Sequence, residues 1–263
     1  MQIASDSIEE LKALKLPKHL SYEGRKELLT SVKVSIVGTR RPSKYAREMT
    51  TTLAQTLSKR GFVIVSGGAM GIDAVAHQGA KSDATIAVLP CGITQRYPAV
   101  NKNLLNSIAQ EGLLLSQFED DFRATPWSFV LRNELVVALG EILIVSEADL
   151  GGGSMRSVEY AHKQGKEIYV LAHRIGQSSS TNSLLQENKA KAIYDIESFC
   201  NTLAQRFGLK QKQQNTTIED PFLALCKTNP SYEELIQKFP QRVFEAELNG
   251  EIRIENARVY LEN

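Results

Sequence analysis

Seven short apolar runs separated by amphipathic stretches set the pattern of the chain between residues 33 and 207. They are "KVSIVG" (33–38), "GFVIVSG" (61–67), "ATIAVLP" (84–90), "GLLLSQ" (112–117), "EILIVSE" (141–147), "EIYVLAH" (167–173) and "KAIYD" (191–195). Most lack apolar–polar alternation, as strands buried on both faces do. The stretches between them carry helical periods. In "SKYAREMTTTLAQTLSKR" (43–60), Met49, Leu53 and Leu57 recur at i, i+4 and i+8, Ser43 can cap the start and Gly61 follows the end. Such alternation predicts an α/β doubly wound parallel sheet.

Past Phe207 the pattern stops. Residues 208–219, beginning "GLKQKQQNTT", are polar and read as a linker. In residues 220–263, "DPFLALCK", "PSYEELIQKF" and "PQRVFEAELNG" predict three short helices. "EIRIE" and "ARVYLEN" then pair around "NA" as a hairpin. Three helices and a two-stranded wing suggest a small winged-helix-like C-terminal domain. Residues 1–30 read as a short helical extension that caps or edges the sheet, so that 1–207 form one domain.

Composition narrows the partners. The 263 residues are 42% hydrophobic and 23% charged, an ordinary globular balance. The net charge is only +1, so nucleic-acid binding would need a local basic patch. Cys91, Cys200 and Cys226 show no C-x-x-C spacing, which argues for a reducing compartment without disulfides or structural zinc. The N-terminus lacks the charge-then-apolar pattern of a leader, and no run approaches the ~18 apolar residues of a membrane span. A cytoplasmic protein with no membrane partner is expected.

Ligands of open α/β sheets bind where strands end and helices begin. The loops at that end are "GTRRPS" (38–43), "SGGAMGID" (66–73), "PCGITQRYP" (90–98), "FEDDFR" (118–123), "EADLGGGSMRS" (147–157) and "HRIGQSSSTN" (173–182). Arg40, Arg41, Arg96, Arg123, Arg156 and Arg174 are expected to gather on this rim. Gly67, Gly68 and Gly71 follow a strand and open a helix, a turn suited to an anion or simply to close helix–sheet packing. Their GGxxG spacing is not the dinucleotide G-x-G-x-x-G, and no acidic residue ends the next strand to hold a ribose. Ser154 can cap a second glycine-rich turn, and Arg156 in that helix's first turn opposes the helix dipole unless an anion is present. His19, His77, His162 and His173 have no metal-ligand spacing, Cys91 has no neighbouring base, and the dipole suffices to explain Asp73. No catalytic group, cofactor or metal is expected.

Several stretches together carry a family resemblance. "VSIVGTRRPSKYAREM", "VIVSGGAMGIDAVAHQGA", "TIAVLPCGITQRYPAVNKNL", "LLLSQF", "FVLRNELVVALGEILIVSEADLGGGSMRSVEYAHKQGKEIYVLAH" and "TNSLLQENKA" fall in order over residues 32–195. They resemble the DNA-processing protein A (DprA/Smf) family. That resemblance implies an extended Rossmann-like, mostly parallel fold and a homodimer. It further implies a protein of natural transformation that binds and protects incoming single-stranded DNA, without nucleotide hydrolysis, and loads RecA recombinase. By motif match, Arg40 contacts phosphate with Arg41 beside it on the Gly38–Thr39 turn. Ser66, Gly67, Gly68, Gly71, Arg132, Asn133 and Ser154 line the same pocket. Arg123 adds charge, and Phe129, Tyr97 or Trp127 stack on bases. Glu134 and Pro126-Trp127 stand where the family usually carries basic residues. The alternative is an enzyme of the same superfamily, a nucleoside-monophosphate phosphoribohydrolase. For that, "GGGSMRSVE" is a loose echo of PGGxGTxxE, with Glu159 as the acid–base group.

Overall fold

The computed structural model describes residues 1–149, 151–209, 221–248 and 250–261. The chain divides into two units, Met1–Lys212 and Gln213–Asn263.

All seven apolar runs form strands: β3 (Lys33–Val37), β4 (Val63–Ser66), β5 (Thr85–Val88), β6 (Leu113–Ser116), β7 (Ile142–Val145), β8 (Ile168–Leu171) and β9 (Lys191–Ile193). These seven are mutually parallel. Every residue of β3 to β7 is buried, which is why the runs do not alternate. Two further strands, β1 (Gln2–Ala4) and β2 (His19–Gly24), complete a nine-stranded sheet in the order β1-β2-β6-β5-β4-β3-β7-β8-β9.

The N-terminal segment therefore corrects the expectation of a helical extension. β1 pairs antiparallel with β2, and β2 pairs antiparallel with β6. Only three 3-10 turns, Ser5–Ser7, Glu9–Leu11 and Lys26–Thr30, are helical there. Tertiary pairing overrides local propensity: β2 covers the ladder of β6 and buries Leu20 and Tyr22 in the main core.

Helices cover both faces. On one, α1 (Lys44–Lys59), α2 (Ile72–Ala80) and α7 (Ile196–Arg206) pack Leu53, Leu57, Ile72, Ala76 and Leu203 against Val34, Ile36, Ile64 and Ile144. On the other, α4 (Pro126–Leu139), α5 (Ser154–Lys163) and α6 (Ser179–Gln186) pack Leu135, Leu139, Val158 and Leu184 against Val37, Val65, Val88 and Val145. α3 (Lys102–Glu111) buries Leu105 and Ile108 against Ala87 and Leu114. Ser43 caps α1 as expected, its Oγ accepting from the Ala46 N–H at 3.1 Å.

Strand order sets the position of the site. From β3 the chain winds outward through β4, β5 and β6, then crosses back through α4 to place β7 on the other side of β3. Connections leaving β3 and β7 therefore diverge, and a crevice opens between them at the strands' carboxyl ends.

The C-terminal unit holds α8 (Pro221–Cys226), α9 (Tyr232–Lys238), α10 (Pro240–Leu248), β10 (Ile252–Glu255) and β11 (Arg258–Leu261). Phe222, Leu235, Val243, Ala246, Ile252 and Val259 form its own core. The β10–β11 reversal falls at Asn256 and Ala257, both with positive φ (49° and 59°), as a two-residue type I′ hairpin turn requires. The expected linker lies, beyond Leu209, outside the described residues.

Candidate nucleic-acid interface

A cavity of about 810 Å³ occupies the crevice between β3 and β7. Most of its wall comes from residues 37–41 at the end of β3, from α4 and the residues just before it, and from the turn into α5, with Gly67, Ala69, Asp73 and Tyr97 completing it.

The GTRR turn is held from beneath. The Thr39 N–H donates to the Glu147 carbonyl at 2.8 Å, and the Ile72 N–H donates to the Thr39 carbonyl at 3.1 Å. The Glu147 carboxylate accepts from the Ser43 N–H at 3.0 Å and from the Ser43 hydroxyl at 2.7 Å. Glu147 is 8% exposed, so these bonds offset the cost of burying its charge. The sequence marked Glu147 only as a loop residue; its one signal was an acid directly after a buried strand. With the turn anchored, Arg40 and Arg41 are both exposed. Among the described residues neither guanidinium has a carboxylate within 4.0 Å. Their charge is available to a ligand.

The α4 side is fixed to the ends of β4 and β5. Thr125 and Ser128 form a reciprocal capping box with Pro126 at the first helical position, and the Ser128 hydroxyl donates to the Pro90 carbonyl at 2.6 Å. Arg132, two turns in, is 3% exposed. Its Nη1 donates to the Gly67 carbonyl and, at 3.0 Å, to the Val88 carbonyl, while its Nε–H donates to Asn133 Oδ1 at 3.1 Å. Asp73 Oδ2 lies 4.0 Å away. Arg132 thus ties the ends of β4 and β5 to α4, and most of its donors are occupied by the protein. Burial pushes the Asp73 carboxyl above its usual range, against the opposing pull of Arg132. A side chain at Gly67 would collide with the Arg132 guanidinium, so that glycine is fixed by close approach.

Phe129 lies half-buried between these parts. The Arg40 guanidinium sits 4.9 Å from its ring centroid and the Arg132 guanidinium 5.8 Å, both within cation–π range. Tyr97 meets it edge-on at 5.9 Å.

The structure sorts the remaining expected residues. Gly38, Thr39, Arg40, Arg41, Gly67, Phe129, Arg132, Asn133, Ser154 and Arg156 line the cavity. Ser66 lies beneath it, fully buried and donating to the Ile36 carbonyl at 2.6 Å. Gly68 and Gly71 shape the turn without lining the cavity, and exposed Arg123 and Arg174 stand outside it. Arg96 is turned into the fold, pairing with Glu23 at 2.7 Å and Asn106 at 2.9 Å. The rim of six arginines therefore contracts to Arg40, Arg41 and Arg156. Arg96 was misplaced because its carboxylate partner sits on β2, an edge strand the apolar pattern did not reveal. Trp127 packs edge-on against Phe118 and Phe122, and neither it nor Glu134 lines the cavity.

On the α5 side the N-cap is Gly153 and makes no side-chain bond, so Ser154 is the first helical residue and not the cap. Arg156 pairs with Glu159 at 2.8 Å, which weakens its value as a sign of an anion. Glu159 is half-exposed, tied to that arginine and absent from the cavity wall, a poor place for an acid–base group. Among the described residues no cluster of three or more His, Cys, Asp or Glu could hold a metal ion, and no helix is long and apolar enough to cross a membrane.

His77 is fully buried, with Nδ1 2.7 Å from Thr85 Oγ1. Burial first, and the Arg132 charge second, push its pKa down to about 3 from the usual 6.5. Below pH 6.5 the unfolded chain takes up this proton and the folded one does not. His77 alone should therefore lower stability by about 1.4 kcal/mol per pH unit from about pH 6 downward, its contribution ending near pH 3. Urea unfolding at pH 7 and pH 5 checks this, and His77→Gln should remove its share of the slope. Equal pH dependence in parent and variant would contradict the buried neutral imidazole.

The DNA recombination-mediator protein A family model matches residues 6–204. The chain belongs to that family. It is 30% identical over 177 residues to DNA processing protein DprA of Bacillus subtilis, covering 66% of this chain and 60% of that protein. It is 34% identical over 175 residues to the Streptococcus pneumoniae DprA, covering 65% and 62%. The chain thus spans about three fifths of the length of these relatives. Among solved structures, DNA processing protein A from Helicobacter pylori, studied for its single-stranded DNA binding mode, superposes with a TM-score of 0.74 at 42% identity. That match covers 78% of this chain and 95% of the other. The S. pneumoniae DprA gives 0.66 at 31% identity, covering 74% and 67%. These likenesses include the mostly parallel sheet and its flanking helices.

Proposed function

We propose that this family member binds single-stranded DNA in the β3–β7 cavity, by phosphate contacts and base stacking and without catalysing a reaction. The observation that carries this reading is the pair of exposed guanidiniums, Arg40 and Arg41, on a rigid turn beside an aromatic ring. Arg40 lies over Phe129, so a backbone phosphate on the arginines brings its base to the ring. The H. pylori relative, by its described binding mode, supports the same partner.

In its finer form the proposal has a cytoplasmic homodimer that protects incoming strands during natural transformation and loads RecA recombinase on them. Faster RecA filament formation on oligonucleotide pre-coated with this protein supports loading; no acceleration removes it. The phosphoribohydrolase alternative is disfavoured by the placement of Glu159. Fluorescence anisotropy should show binding to oligothymidylate, and incubation with AMP should release no adenine. Adenine release without oligonucleotide binding would reverse the choice.

A further inference from the structure

At the edge of the cavity three large apolar side chains are exposed: Tyr97 at 46%, which also lines the cavity wall, and beyond it Met70 at 46% and Val100 at 72%. Their neighbourhood follows from the backbone. The carboxamide of Asn101, only 9% exposed, donates to the carbonyls of Gly68 and Ala69, each at 3.0 Å. The Asn101 N–H donates to the Pro98 carbonyl at 2.9 Å. These bonds clamp the Tyr97–Val100 loop onto the turn that carries Met70. Gly71, next in sequence, packs so closely on Arg40 that an added Cβ would lie 2.6 Å from the Arg40 Cα. The ledge therefore begins beside Arg40 and runs past Tyr97, whose ring edge meets Phe129, to Val100 and the start of α3.

Its charges lie at the ends. Arg40 stands at one, and exposed Lys102, the first residue of α3, at the other. Among the described residues neither has a carboxylate within 4.0 Å. An apolar floor flanked by unpaired cations fits stacked bases with phosphates along the margin. A rigid, pre-tied surface also loses little freedom when a strand is laid on it.

We propose that Met70, Tyr97 and Val100 form a second stacking seat for single-stranded DNA, continuing the strand out of the cavity toward the N-terminus of α3. This rests on the DNA-binding reading of the cavity and adds a direction and a longer footprint. The seat takes bases without regard to identity, because stacking uses the π face that every base presents.

The test is anisotropy with oligothymidylates of roughly 4 to 12 nucleotides, a range that spans one site of this kind. Parent affinity should rise with length by roughly 5- to 160-fold as the second seat fills, the range for one stacked base. Val100→Glu, an exposed change that should leave the fold intact, is expected to abolish this gain while the shortest oligomer binds as before. Tyr97→Ala should lose the quenching of a 2-aminopurine placed beyond the cavity, and Tyr97→Phe should restore it. An unchanged length dependence in both Val100→Glu and Tyr97→Ala overturns the ledge and leaves its apolar face to a protein partner. Failure of the parent to bind any length would instead overturn the cavity reading.

Discussion

Arg132→Met is expected to destabilise the fold by about 3–5 kcal/mol, the usual effect of removing one partner of a buried charge pair. The substitution removes the donors to the Gly67 and Val88 carbonyls and strips Asp73 of its nearby cation. Without Arg132 the Asp73 carboxyl moves further above its usual value, since burial is what already raises it. The sign of the pH dependence follows. A raised carboxyl favours the folded state only while protonated, so that contribution fades as pH rises through the folded pKa. The variant should be least impaired in acid and most impaired near neutral pH. Asp73→Asn in the same chain should recover part of the loss by removing the stranded charge. Urea midpoints of the two single variants and the double variant make the measurement. A midpoint equal to the parent's, with lost DNA affinity, would instead make Arg132 a phosphate contact.

Gly71→Ala is the second large effect. Gly71 adopts φ +80°, ψ −129°, a conformation that L side chains rarely reach, and holding one there costs about 1–3 kcal/mol. The added Cβ would also stand 2.6 Å from the Arg40 Cα and from the Arg40 carbonyl carbon. These are backbone atoms and cannot swing aside, so the GTRR turn must move. Loss of stability and at least tenfold weaker oligothymidylate binding are expected together, since a misplaced charged contact loses ~1.5–3 kcal/mol. Gly165→Ala is the control, because Gly165 shares a positive φ (65°) but lies away from the cavity lining and a Cβ there meets nothing within 4 Å. Parental affinity and melting temperature for Gly71→Ala would show that the turn tolerates displacement.

Much of this architecture could be read from the chain. β3 to β7 were legible because strands buried on both faces leave continuous apolar runs, β8 and the edge strand β9 from shorter runs that are only partly buried, and α1 because Ser43 caps a regular apolar period. Two strands were not. β1 and β2 hold their places through pairing with each other and with β6, a non-local contact with no periodic signature. In the site, Arg40 and Arg41 were legible from an arginine pair standing where a strand-end turn must be. The role of Arg132 was not, because its carbonyl partners sit 65 and 44 residues away in sequence. Glu147 escaped for the same reason, meeting Ser43 across 104 residues. Arg96 misled in the other direction: a rim position on paper, an internal ion pair with Glu23 in the fold.

The central claim is that unpaired arginines on the β3 turn hold the phosphates of single-stranded DNA. Anisotropy with an oligothymidylate across a salt series tests it directly, for the parent and for Arg40→Gln combined with Arg41→Gln. The logarithm of the parent's binding constant should fall linearly with the logarithm of salt concentration. In the double variant the slope should be shallower by about 0.7 for each phosphate contact removed. A parent affinity flat from low to high salt, or an equal slope in the double variant, would contradict the account.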